Sequence, residues 1–324
     1  MKTFSIFFSL VFFNCITILL VRAQEGKQEE FHVFLLAGQS NMEGQGVVDM
    51  DHPKNYNGGK GTLLRVMKNS TEPKRYAHLK DAKGNWVTRN DAFIRFCNKQ
   101  GVMSGGVSIG FTGYGSMENR HHIGPELQIG HRLGDHFKKP VLLIKTAWGG
   151  KSLYKDFRPP SAGGETGEYY WKMLAEVDEA LKNYGKEFPS LKGMKPKWGG
   201  FVWFQGWNDM FDKNALAEYE QNLIYLIKDL RIHFKEPSLP VVVGELGNLG
   251  KNAGTTMKTI RMAQAKACEH KEWRGTVSFV ETTSFARPKE ESPNVGHGHH
   301  WFGNAESYFL IGDALGKSMI ELLK

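Results

Sequence analysis

The chain is poor in cysteine, in long apolar runs and in concentrated charge. Only three cysteines occur in 324 residues, Cys15, Cys97 and Cys268. So few exclude a disulfide-dense framework and a cysteine-rich zinc site. Cys97 and Cys268 are far apart in sequence, which leaves one disulfide and two buried thiols both open. Beyond residue 23, no apolar run approaches the roughly 20 residues that a membrane-spanning helix needs. Charge of one sign is also not gathered anywhere: 42 Lys and Arg against 34 Asp and Glu give a formal +8, with the basic residues scattered rather than set in an arm or a helical stripe. Nucleic-acid binding is therefore not expected. Internal repeats and low-complexity tracts are missing too, which argues against a solenoid.

What is present begins with a leader. Residues 1–23 carry Lys2, a continuous apolar stretch and a Val21-Arg22-Ala23 ending, followed by polar QEGKQEE. This pattern predicts a signal peptide cleaved after Ala23, hence a secreted or periplasmic protein with no stable membrane anchor once the leader is gone. An uncleaved anchor is the alternative, because the apolar run is near the lower limit for spanning. Loss of Lys2 and Arg22 lowers the formal charge from +8 to +6. The remaining stretch, 24–324, is long enough to bury one large core.

Short, nearly continuous apolar segments recur at 31–37, 140–146, 200–204, 239–245 and 276–281. Such runs, rich in Val, Ile and Phe, are expected of strands covered on both faces. Helical spacing appears at 124–137, 215–234 and 255–270, and Asn304 is placed to cap a last helix. Alternating strand and helix predicts an α/β fold with an open parallel sheet, whose site lies beyond the carboxyl ends of the strands. The stretch 47–115, rich in Gly, Asn and Lys with short apolar fragments at 63–67 and 93–97, fits this alternation poorly and reads as an inserted, loop-rich excursion with a few strands. It contains Asn69-Ser70-Thr71, a glycosylation-acceptor triplet.

The chemistry gathers at the predicted strand ends. The first apolar run stops at Gly38 and delivers Ser40 in Gly-Gln-Ser-Asn-Met, a hydroxyl at the sheet edge with free backbone N–H groups beyond it. The second run is followed by Trp148, Gly149 and Gly150, where paired glycines let N–H groups approach a ligand. After the third come Gln205, Gly206, Trp207, Asn208 and Asp209, and a late run, Gly-His-Gly-His-His, ends at His300 before the last helix. A serine, two donor loops and a late histidine are the parts of a Ser–His acyl-transfer site.

These residues resemble those of the SGNH-type hydrolases, and within them the sialate O-acetylesterase and acetylxylan esterase families. GQSNM at 38–42, GPE at 124–126, KTAWGG at 145–150, WFQGWND at 203–209 and His300 with the helix after it carry the resemblance. It implies a flavodoxin-like three-layer α/β/α fold and removal of acetyl groups from carbohydrate without a cofactor or metal. It also implies Ser40 as nucleophile, His300 as general base, and the Ser40 N–H, Gly150 or Gly149, and Asn208 as oxyanion donors. Gln39, Gln205, Trp148, Trp207, Glu126 and His299 become candidate substrate contacts. Bracing of the loops is the competing role for the two glutamines, and core packing for the tryptophans. Related esterases supply a carboxylate three residues before the histidine or directly after the Gln-Gly pair. Here those positions hold His297 and Trp207. Asp209, Glu281, Glu245 or a backbone carbonyl remains to orient His300, with Asp209 and Glu281 preferred. His297, His299 and His300, with His121 and His122, offer a rival metal reading, but their spacing matches no closed zinc pattern. Two other readings stay open: an esterase for feruloyl or lipid acyl groups, and a carbohydrate-binding relative with weakened turnover.

Overall fold

β1 (Glu30–Gly38) lies in the middle of the main sheet and explains its order. Phe31, Val33, Leu35 and Ala37 enter one apolar cluster, while Phe34 and Leu36 enter another on the opposite face. A strand with period-two side chains that are apolar in both directions can only be satisfied between two packed layers.

The computed structural model describes residues 28–50, 54–114 and 118–324. The leader and its cleavage point lie outside the described residues. After β1 come α1 (Ser40–Glu43), β2 (Gly46–Val47), α2 (Leu63–Asn69), β3 (Ala92–Asn98), β4 (Gly101–Gly106), β5 (His122–Ile123) and α3 (Glu126–His136). Then follow β6 (Val141–Ala147), α4 (Glu168–Glu187), β7 (Lys195–Phe204), α5 (Lys213–His233), β8 (Val241–Gly244), α6 (Thr255–Cys268), β9 (Val277–Val280) and α7 (Ala305–Leu322). The sheet order is β4-β3-β6-β1-β7-β8-β9, and β2 pairs with β5 separately. All pairings in the main sheet are parallel except the β3–β4 hairpin. Residues of α4, α5 and α6 fill one cluster, and residues of α3 and α7 the other.

All five strands and four helices expected from the apolar runs are present, with ends shifted by a few residues. Asn304 caps α7 by accepting from the Glu306 and Ser307 N–H groups. The stretch 47–115 contributes β3, which pairs with β6 from Ala92↔Val141 to Phe96↔Lys145 and extends the main sheet. Ala92, Ile94 and Phe96 are buried there, and that burial makes a loop-like sequence part of the core. Cys97 on β3 and Cys268 at the end of α6 are both free thiols. Four strands stand between β3 and β9, the strand that follows α6, so no disulfide joins the two. Among the described residues, no helix is long and apolar enough to cross a membrane.

Candidate active site

Gly38 permits the turn that ends β1, because a Cβ there would lie 2.1 Å from the Phe204 carbonyl oxygen. The chain then enters α1 at Ser40, whose own N–H, in a helix's first turn, has no intrahelical acceptor. Ser40 Oγ lies 2.9 Å from His300 Nε2. His300 arrives from the loop before α7, 260 residues later, and the two rings flanking it are His299 at 4.0 Å and His297 at 6.2 Å between centroids.

The loops after β6 and β7 are tied to the nucleophile turn by amide side chains. Gln39 Nε2 donates to Asn208 Oδ1 at 3.1 Å, and Gln39 Oε1 accepts from the Gly206 and Asn208 N–H groups. Asn208 Nδ2 donates to the Gly150 carbonyl at 2.9 Å, which leaves its second hydrogen free. Gly150 has φ +74°, a conformation that turns its peptide without requiring strain. Glu43 accepts from the Gly149 N–H and lies beside it, with Oε2 3.2 Å from where a Gly149 Cβ would sit. Ser40 Cβ lies 3.7 Å from where a Gly149 Cβ would sit, so the loop after β6 stands against the nucleophile turn.

Gln205 and Asp209 form a buried brace. Asp209 accepts from Leu153 N (2.9 Å), Tyr154 N (2.8 Å) and Gln205 Nε2 (2.6 Å). Gln205 Nε2 also donates to Lys151 O, and Tyr219 OH donates to Gln205 Oε1. Burial raises the Asp209 carboxyl to about 6, against the three hydrogen bonds that favour its charged form. Asp209 is thus engaged with the loop after β6 and does not orient His300, contrary to the sequence expectation. Glu281 is exposed, and no hydrogen bond joins it to His300. Glu245 is occupied by the Thr282 N–H, the Thr283 N–H and the Thr283 hydroxyl. Among the described residues, no carboxylate hydrogen-bonds to the His300 ring, whose partner is Ser40 Oγ.

The candidate substrate contacts separate. Glu126 is fully buried and paired with Lys145 at 2.8 Å, both side chains being inaccessible, so it cannot touch a substrate. Gln39 and Gln205, each 2% exposed, serve as braces. Trp148 packs against Phe157 and Tyr169 under Lys172. Trp301 is in the core. Trp207 stands at the rim, 5.7 Å from His299 and 6.0 Å from Phe211 between ring centroids. Phe211 is 71% exposed and was not singled out by the sequence, since a lone phenylalanine after Trp207 carries no periodic signal.

Burial, and then His299 and His297, lower the His300 pKa to about 3, so the ring is neutral and able to accept a proton. Among the described residues, no three His, Cys, Asp or Glu side chains are grouped so as to hold a metal ion. The arrangement can activate a hydroxyl and stabilise an oxyanion, as acyl transfer requires.

A family model described as "Carbohydrate esterase, sialic acid-specific acetylesterase" matches residues 30–321. A probable carbohydrate esterase of Arabidopsis thaliana is 23% identical over 210 residues, covering 65% of this chain and 66% of the relative. The X-ray structure of that Arabidopsis protein superposes with a TM-score of 0.57 at 17% identity, covering 90% of this chain and 98% of the other. The NanS crystal structure gives 0.51 at 14% identity, covering 91% and 98%. These similarities support an α/β fold with a mostly parallel sheet. With the match running from the start of β1 to the penultimate residue of α7, the chain belongs to the sialic acid-specific acetylesterase family of carbohydrate esterases, whose members are carboxylic ester hydrolases.

Proposed function

We propose that this chain is a secreted serine esterase that removes O-acetyl groups from carbohydrate. In this reading residues 24–324 form one SGNH-type domain of the flavodoxin-like three-layer kind, released from its leader after Ala23. The observation that carries the mechanism is the 2.9 Å contact between Ser40 Oγ and neutral His300 Nε2. The serine proton passes to His300 as Oγ attacks the acetyl carbon, and the developing oxyanion accepts from the Ser40 N–H, the Gly150 N–H and the free hydrogen of Asn208. Collapse breaks the bond to the sugar oxygen, which takes the proton from His300 and leaves as an alcohol. Water, deprotonated by the same ring, then hydrolyses the acetyl-serine.

Trp207, Phe211 and His299 offer aromatic faces beside the reacting pair, suited to the apolar face of a sugar ring. A non-catalytic sugar binder is the second reading, favoured by the lack of a carboxylate at His300. Removing a triad acid lowers the rate but leaves the donors and base in place, so turnover is expected. Ser40→Ala should reduce acetate release from 4-nitrophenyl acetate by roughly 10⁴-fold or more. Full activity in that variant would end the esterase reading, and sugar binding without any wild-type esterase activity would favour the binder.

A further inference from the structure

We infer that Asn41, Asn248 and Tyr308 position His300 for proton transfer by clamping the backbone of its loop. The inference rests on the reading of Ser40 and His300 as an acyl-transfer pair. Among the described residues, the His300 ring hydrogen-bonds to Ser40 Oγ alone, so its orientation has to be fixed through its own main chain. The carbonyl of the preceding residue, His299, receives two amide donors, Asn41 Nδ2 at 3.1 Å and Asn248 Nδ2 at 2.8 Å. Together they use both lone pairs of that oxygen. Tyr308 OH donates to Asn41 Oδ1 at 2.8 Å, which decides which end of the Asn41 amide faces His299, and it lies 3.4 Å from the His300 carbonyl. Asn248 Nδ2 also reaches the Gly298 carbonyl at 3.4 Å.

The three side chains are 0–2% exposed, so water cannot substitute for any of them. They come from three separate elements: α1, the loop after β8 and the first turn of α7. Asn41 directly follows Ser40, so one short helix holds both ends of the serine–histidine hydrogen bond. The loop also needs restraint, because Trp301 and Phe302 are consecutive non-glycine residues at φ +53°. Such left-handed pairs persist only where the surroundings over-determine them. The loop adds its own bonds, with the His300 and Phe302 N–H groups both donating to the His297 carbonyl.

The test uses Asn248→Ala and Tyr308→Phe, the latter removing a single oxygen. It reads kcat and KM on 4-nitrophenyl acetate, the rate at which a small fluorophosphonate labels Ser40, and the thermal midpoint. Asn248→Ala should lower kcat and labelling together by about 10–100-fold, and Tyr308→Phe by about 3–10-fold, with KM within about threefold of wild type, as small misplacement of a reacting group does. Unchanged kcat and labelling in a folded variant would overturn the clamp. So would a loss of thermal stability with labelling unaltered. If Asn248→Ala does not fold, Tyr308→Phe decides alone. A wild-type protein without Ser40-dependent acetate release would refute the esterase reading instead, and fluorophosphonate labelling would still report the alignment of the pair.

Discussion

His300 sets the working pH of the proposed chemistry. A general base acts in its neutral form, and burial beside His299 and His297 keeps this ring neutral far below the ordinary histidine value of 6.5. The consequence for kcat/KM on an uncharged aryl acetate is a profile that stays flat from pH 7 down to roughly pH 5. A half-maximal point near 6.5 would contradict the assigned environment. The weak basicity has a cost in proton-transfer driving force, which places more of the catalysis on the oxyanion donors. The meeting of Ser40 with His300, and of Asn208 with the Gly150 loop, at one sheet edge was legible from sequence because each residue follows a recognisable strand or precedes a helix. The orienting group was not, since strand order does not say where a carboxylate turns after leaving the edge. Asp209 turns toward the Leu153 and Tyr154 N–H groups, and the clamp residues Asn248 and Tyr308 carry no motif of their own.

Among the elements, β6 and α3 are joined by the buried pair Lys145–Glu126, and Lys145 Nζ also donates to the Glu43 and Phe111 carbonyls. Burial drives Glu126 up and Lys145 down in pKa, and their mutual attraction opposes both shifts. Glu126→Gln leaves a buried ammonium without its anion and should cost about 3–5 kcal/mol in urea unfolding. Glu126→Leu combined with Lys145→Met should cost less than Glu126→Gln, its remaining loss coming from the Glu43 and Phe111 carbonyls and the Gly124 N–H left without partners, and equal losses in both variants would show that the charge is not the issue. Sequence spacing places this lysine in a strand and this glutamate in a helix's first turn, but not facing one another. α4 shows another limit of the sequence. Tyr170, Met173, Leu174, Val177 and Ala180 have helical spacing, yet the helix is preceded by Gly167 at its N-cap, which has no side chain to cap it. β3 was legible only as a short apolar fragment at 93–97 within a glycine- and lysine-rich stretch, and its place in the main sheet comes from its pairing with β6.

For the molecule as a whole, the central strand and its two apolar faces were readable because continuous apolar runs have few other solutions. The response to acid is not readable that way, because it depends on which histidines the fold buries. His131 of α3, 3% exposed, is lowered to about 3 by burial first and then by His78 and Arg89. Between about pH 6.5 and 3 the unfolded chain binds a proton there that the folded chain refuses, so stability falls as pH falls through that window. Asp209, raised to about 6, acts in the opposite direction between about 6 and 3.8. His131→Gln isolates the first effect, and its stability should decline less steeply than wild type below pH 6.5, by up to about 1.4 kcal/mol per pH unit. Parallel curves would contradict it. Acyl transfer through Ser40 can be caught by acid-quenching the enzyme during turnover of an acetylated substrate and mapping its peptides. Wild type should carry an acetyl ester on the peptide bearing Ser40 and Ser40→Ala none, with acetate release by the variant reduced by roughly 10⁴-fold or more. Undiminished acetate release by Ser40→Ala, or wild-type turnover with an acetyl group trapped on another residue, would contradict it.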